Sequence, residues 1–123
     1  MKIIFPLTPL GKPRMTRKDK WAKRPIVEAY FTYANALRAF AARKRFTLPD
    51  HGVSFYFEFP MPQSWSKKKR LEMDGKPHQQ TPDIDNILKG LFDPLLEQDC
   101  TVWQIAGAEK RWAEKGSITL EAA

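Results

Sequence analysis

The stretch "TPDIDNILKGLFD", residues 81–93, carries two aspartates two residues apart and a lysine four residues after the second. Two carboxylates converging to about 4 Å repel by roughly 4 kcal/mol at an effective dielectric of 20, so such a pair needs a proton or a cation between them. A hard divalent ion meets that need, and Mg²⁺ suits it because it accepts a few carboxylates and keeps water or phosphate oxygens in its other positions. An ion held there polarises a phosphodiester and supplies a hydroxide nucleophile. Lys89, one helical turn past Asp85, would add fixed positive charge where the transition state is most negative.

Whether the pair converges depends on where the helix begins. With Ile84 at zero and about 100° per residue, Ile87, Leu88, Leu91, Phe92 and Leu95 fall within an arc of about 140°, while Asp85, Asn86, Lys89, Gly90 and Asp93 fill the other side. One face is core and the other is free for chemistry or water. If Thr81 is the N-cap and Pro82 the first helical residue, Asp83 and Asp85 are both helical and point about 160° apart. If Asp83 is itself the cap, or lies in an extended segment, residues two apart project to one side and both can serve one ion. Capping and compensation of the helix dipole would also explain either carboxylate singly. Asp93 extends a polar ladder from Asp85 and Lys89, whose pairs stabilise an exposed helix by only about 0.2–0.5 kcal/mol each.

The elements around this stretch can be read from periodicity. "KIIFPLT", residues 2–8, is a strand, with Pro6 suggesting an edge or a bulge. "VEAYFTYANALRAFAARKR", residues 27–45, places Val27, Tyr30, Tyr33, Ala34, Leu37, Phe40 and Ala41 at helical spacing. "VSFYFEF", residues 53–59, alternates as a half-buried strand, with Pro60 and Pro62 beyond it. "TVWQIAGAEKRW" and "SITLE" read as two late strands joined by a turn containing Gly116. The expectation is a single α+β domain over residues 1–123, a mixed β-sheet of about four strands with two main helices packed on it, in the order β-α-β-α-β-β.

The chain carries 21 Lys and Arg against 14 Asp and Glu, a net charge of +7 that favours a polyanionic partner. Much of this charge lies in "GKPRMTRKDKWAKRP", residues 11–25, and "WSKKKR", residues 65–70, neither of which has a helical or alternating apolar pattern. Both read as loops. Lys12, Arg14, Arg17, Lys67, Lys68, Lys69 and Arg70 are the candidate phosphate contacts, the ordinary alternative being solvated basic loops. No apolar run approaches the roughly 18 residues of a membrane span, and the prolines near the amino terminus break any signal peptide, so the cytoplasm is expected. Cys100 is the only cysteine, which excludes an intrachain disulfide and a cysteine-clustered zinc site; it is expected as a small, partly buried apolar residue.

"PDIDNILKGLFD" with the following "QDCTVWQ" resembles the active-site signature of the RusA-type Holliday junction resolvases. The resemblance extends to "GKPRMTR", "MPQSWSKKKR", "GKPHQQTPD" and "KRW", so it touches most of the chain. It implies a homodimeric Mg²⁺-dependent endonuclease, with Mn²⁺ as a substitute ion and no small-molecule cofactor, that nicks opposing strands of branched, four-way DNA. Carried over by position, Asp83, Asp85 and Asp99 are the metal-binding carboxylates and Lys89 the essential basic residue. Three features depart from the family. Gln98-Asp99 stands where many relatives have two acids, the connection from the helix to Asp99 is short, and Pro94 sits inside the expected helix. A helix from Asp85 to Leu96 would be about 18 Å long, so Asp99 reaches the pair only if the chain folds back after Pro94 or if it comes from a dimer partner.

His78 reads either as a surface-loop residue or as a contact to the scissile phosphate or a metal-bound water. Glu58 reads as the solvent side of its strand, and Trp103, Trp112 and Tyr56 as core or dimer contacts, with base stacking the alternative. The expected function is structure-selective cleavage of four-way junctions in recombination and repair. The rivals are a non-catalytic basic DNA-binding or packaging accessory and a nuclease for flaps or other branches.

Overall fold

The computed structural model describes residues 1–14 and 24–123. The phosphate contact expected of Arg17 lies outside the described residues. The alternation of "VSFYFEFP" becomes β2 (Val53–Pro60), with Val53, Phe55, Phe57 and Phe59 buried and Ser54, Tyr56 and Glu58 turned to the other face. Around it lie β1 (Lys2–Phe5), β3 (Ile105–Ala113) and β4 (Ser117–Ala122), in the sheet order β1-β4-β2-β3. β2 runs antiparallel to β4 and parallel to β3, and β4 runs antiparallel to β1, which makes the sheet mixed. β1 is an edge strand and stops just before Pro6, whose missing N–H cannot extend a ladder. The β2–β3 register shifts between Val53 and Ser54, whose partners are Ile105 and Gly107.

Two helices cover one face of the sheet. α1 (Pro25–Arg43) opens on a proline, whose fixed φ suits a first turn, and buries Val27, Tyr30, Tyr33, Ala34, Leu37 and Ala41. The next helix, α2 (Lys67–Met73), corrects the expected loop at residues 65–70. Ser66 caps it by accepting from the Lys69 N–H at 3.2 Å, and Arg70 donates to the carbonyls of Pro62 at 2.9 Å and Met61 at 3.4 Å. α2 buries no residue, so it has no apolar periodicity by which a helix could be recognised. α3 (Ile84–Leu95) buries Ile87, Gly90, Leu91 and Pro94 and packs against α1.

Phe5, Phe55, Phe57, Ile118 and Leu120 from the sheet meet Tyr30, Leu37, Ile87 and Leu91 from the helices in one core. Each such side chain contributes about 1.5–3 kcal/mol on burial. Trp112 joins this core as expected, whereas Trp103 is 70% exposed and stacks on His51. Tyr56 lies on the other face of the sheet beneath the Arg111 guanidinium. Cys100 is exposed, a correction to its expected partial burial, because it sits in a single 3-10 turn (Asp99–Thr101) that buries nothing. Among the described residues no helix is long and apolar enough to cross a membrane.

After α2 the chain runs beside β3 before it reaches α3. Gly75 donates to the Trp112 carbonyl, Trp112 to that of Lys76, and His78 to that of Lys110, so residues 75–78 extend the sheet by a short antiparallel bridge centred on Pro77 and Arg111. This segment delivers the chain to Asp83.

Candidate active site

Of the two helix starts open in the sequence, the chain adopts the later one. Asp83 is the N-cap, extended at φ −69° and ψ 151°, and its side chain makes no capping hydrogen bond. Asp85 lies in the first helical turn. Both residues are exposed, and neither side chain has an ion-pair or hydrogen-bond partner among the described residues. A carboxylate at a cap that declines the local N–H groups is available for something else. Lys89 is likewise exposed, and the ladder expected with Asp85 and Asp93 does not close: Asp93 pairs with Lys12, Nζ to Oδ2 3.4 Å, from across the chain.

That pairing follows from a close approach between two glycines and their neighbours. The loop of residues 9–13 crosses the side of α3 that carries Asn86, Gly90 and Asp93, and Lys12 donates its backbone N–H to the Asn86 carbonyl at 3.2 Å. A Cβ on Gly11 would lie 2.8 Å from Asn86 Nδ2 and 2.9 Å from Pro82 Cβ; one on Gly90 would lie 3.0 Å from the Leu10 carbonyl oxygen. A side chain at either position would force its neighbours to shift. Gly90, placed by periodicity on the polar side, is therefore buried under the basic loop. A cleft of about 370 Å³ remains between that loop, the start of α1 and residues 81–86, with Lys12, Asp83 and Asn86 in its wall.

Pro94 stays inside α3 and the helix ends one residue later, at Leu95. Proline has no N–H to give the carbonyl four residues back, which is that of Gly90. The Tyr30 hydroxyl from α1 donates to it instead, at 3.0 Å. Burial pushes the Tyr30 hydroxyl up to a pKa of about 12, and the carboxylates of Asp93 and Asp99 add to the shift. The extended residues Leu96 and Gln98 carry the chain on to Asp99, whose 3-10 turn packs against α3. Asp99 does not complete a cluster: among the described residues no three His, Cys, Asp or Glu side chains form a group that could hold a metal ion. The structure brings Asp83 and Asp85 onto one helix start and leaves Asp99 outside a three-carboxylate group.

His78 corrects the expected surface-loop residue. It is buried, 5% exposed, with its ring stacked on Phe59 at 4.0 Å and tilted against Trp112 at 4.4 Å, and its Nδ1 has no partner among the described residues. Burial pushes its pKa down, and the Lys110 ammonium pushes it further the same way. Glu58 accepts from Ser117 Oγ at 3.3 Å.

Of the basic candidates, Arg14, Lys67 and Lys68 are exposed, and Lys69 lies over the Trp65 ring at 4.4 Å. Arg70, another candidate phosphate contact, is half-buried and engaged within the protein. Its guanidinium holds the carbonyls before α2 and reaches Glu114 at 3.2 Å. Three residues near the site escape a sequence reading. Tyr30 and Gly90 show only in the contact of two helices. Lys110 leaves a faint trace: strand alternation puts it in the inward series with Ala108 and Trp112, an odd place for a lysine.

No curated protein and no solved structure matches the chain. A family model does match: that of Endodeoxyribonuclease RusA, over residues 5–121, which takes in every helix described here, β2, β3, nearly all of β4 and both aspartates of the helix start. The chain belongs to the RusA endodeoxyribonuclease family.

Proposed function

We propose that the protein is a homodimer that resolves four-way DNA junctions by paired, Mg²⁺-dependent cleavage of phosphodiesters. The observation that carries this reading is the helix start, where Asp83 is extended, makes no capping bond and stands two residues ahead of an Asp85 that has no partner among the described residues. Two exposed carboxylates with no paired cation among the described residues suit a hard divalent ion that fills its remaining positions with water and phosphate oxygens. Asp83 and Asp85 would hold it, and Mn²⁺ would serve in place of Mg²⁺. When bound, the ion would polarise the phosphodiester and activate water. Asp99 joins as a further ligand by its resemblance to the family pattern.

The remaining work falls to the chain's own cations. Lys89, one turn along α3, offsets negative charge developing on the phosphoryl oxygens. Lys12, Arg14, Lys67 and Lys68 hold sugar-phosphate backbone without reading sequence. A two-fold dimer presents two equivalent sites to two related strands of a junction, and the working compartment is the cytoplasm.

The test uses purified protein with a labelled four-way junction and a matched linear duplex, with Mg²⁺ or with chelator. Junction cleavage that needs Mg²⁺, and that Asp85→Asn abolishes while binding persists, is the expected result. Undiminished cleavage by that variant, or binding without cleavage under any divalent metal, overturns the mechanism. A panel of flap and splayed-arm substrates separates junction resolution from other branch cleavage.

A further inference from the structure

We propose that Lys110 of β3 is a positioning residue for the two-aspartate edge: it grips the backbone just ahead of Asp83 and sets that residue as an extended cap beside Asp85. The inference rests on the reading that Asp83 and Asp85 bind a divalent cation.

Lys110 belongs to the inward series of β3, opposite Phe57 and two residues from buried Trp112. Lys110 is half-buried, so its ammonium gives up part of its hydration and gains from acceptors in the protein. It finds two main-chain carbonyls, those of Gln80 at 2.6 Å and Pro82 at 2.9 Å. The backbone of the same residue accepts from His78 N–H at 2.9 Å. One residue therefore ties the chain at positions 78, 80 and 82, and the next residue is Asp83.

These ties act on the one feature left open by the local sequence. Asp83 becomes a cap or a helical residue according to the backbone angles just before α3, and its side chain makes no bond that would choose between them. Pro82 has no N–H to contribute, so a backbone hydrogen bond to Pro82 itself must come through its carbonyl. Lys110 supplies such a grip from a strand that packs beneath. The same ammonium depresses the His78 pKa, as expected of a charge held close to that segment. Two of the three ammonium donors are taken by protein carbonyls, which disfavours Lys110 as a direct phosphate ligand.

The test compares the full chain with Lys110→Met, Lys110→Arg and Asp85→Asn. Mn²⁺ binding without DNA is followed by calorimetry or by the free-ion paramagnetic signal, junction affinity is measured in chelator, and amide hydrogen exchange is read over residues 79–88. Outer-shell supports of metal ligands alter affinity about 10–100-fold, so Lys110→Met is expected to weaken Mn²⁺ binding by about tenfold or more. It should also speed exchange at the start of α3, keep junction affinity in chelator within about twofold, and be partly rescued by Lys110→Arg. Unchanged exchange and Mn²⁺ affinity within about twofold of wild type, while Asp85→Asn loses the ion, overturn the role of Lys110 alone. If Asp85→Asn keeps full Mn²⁺ affinity, the metal reading itself falls. A loss of junction affinity in chelator by Lys110→Met would make the residue a phosphate contact and overturn the proposal. Should Lys110→Met fail to fold, Lys110→Gln, which keeps a shorter donor, takes its place with the same readouts.

Discussion

Tyr30 and His78 carry testable consequences at the scale of single residues. The Tyr30 hydroxyl satisfies the carbonyl that Pro94 leaves without a helical donor, so Tyr30→Phe strands a buried acceptor and should cost about 1–3 kcal/mol in urea unfolding. Pro94→Ala restores a backbone donor to the same carbonyl, and the cost of Tyr30→Phe should shrink in that background. A coupling of zero between the two changes would show that they do not share the Gly90 oxygen. His78 is neutral because it is buried beside Lys110, and its pKa lies below the ordinary 6.5. The unfolded chain therefore takes up its proton first as pH falls. The associated stability is complete above about pH 6.5 and is lost progressively as pH drops toward the depressed folded value. Melting temperatures measured from about pH 7 down to 5 should fall more steeply for wild type than for His78→Phe, and equal slopes would contradict a buried neutral ring.

The elements differ in how plainly the sequence announces them, and the contrast is physical. α3 and α1 are amphipathic, so their apolar spacing alone identifies them, and β2 shows itself by strict alternation. α2 buries nothing and is held by a serine cap and by Arg70 reaching back to two carbonyls, contacts that leave no periodic trace. The choice of helix start at Asp83 was open for a similar reason. Lys110 lies 28 residues beyond Pro82, whose carbonyl it holds, so local propensity could not decide it. The burial of His78 is equally non-local, since its ring neighbours Phe59 and Trp112 come from two different strands. The glycine contacts give an element-scale prediction. Gly11→Ala places a methyl group within 2.9 Å of Pro82 and forces the basic loop off α3, with a cost of about 1–3 kcal/mol and a displaced Lys12. Wild-type stability in that variant, with the Lys12–Asp93 pair intact in a crystal structure, would contradict the packing described.

For the whole molecule, charge and topology act together. If Lys67 and Lys68 touch phosphates, removing both as a double alanine variant should flatten the slope of log affinity against log salt by about 1.8, since each neutralised phosphate contributes about 0.9. An unchanged slope would take α2 out of the DNA interface. The bridge that residues 75–78 make to β3 has a second effect beyond delivering Asp83. β3 stands at the margin of the sheet, and a bare margin offers unpaired N–H and C=O groups to any other extended chain. The segment that leads to Asp83 occupies those groups between Lys110 and Trp112. It therefore shields that part of the margin from edge-to-edge pairing, and mutations that loosen it should lower solubility along with activity.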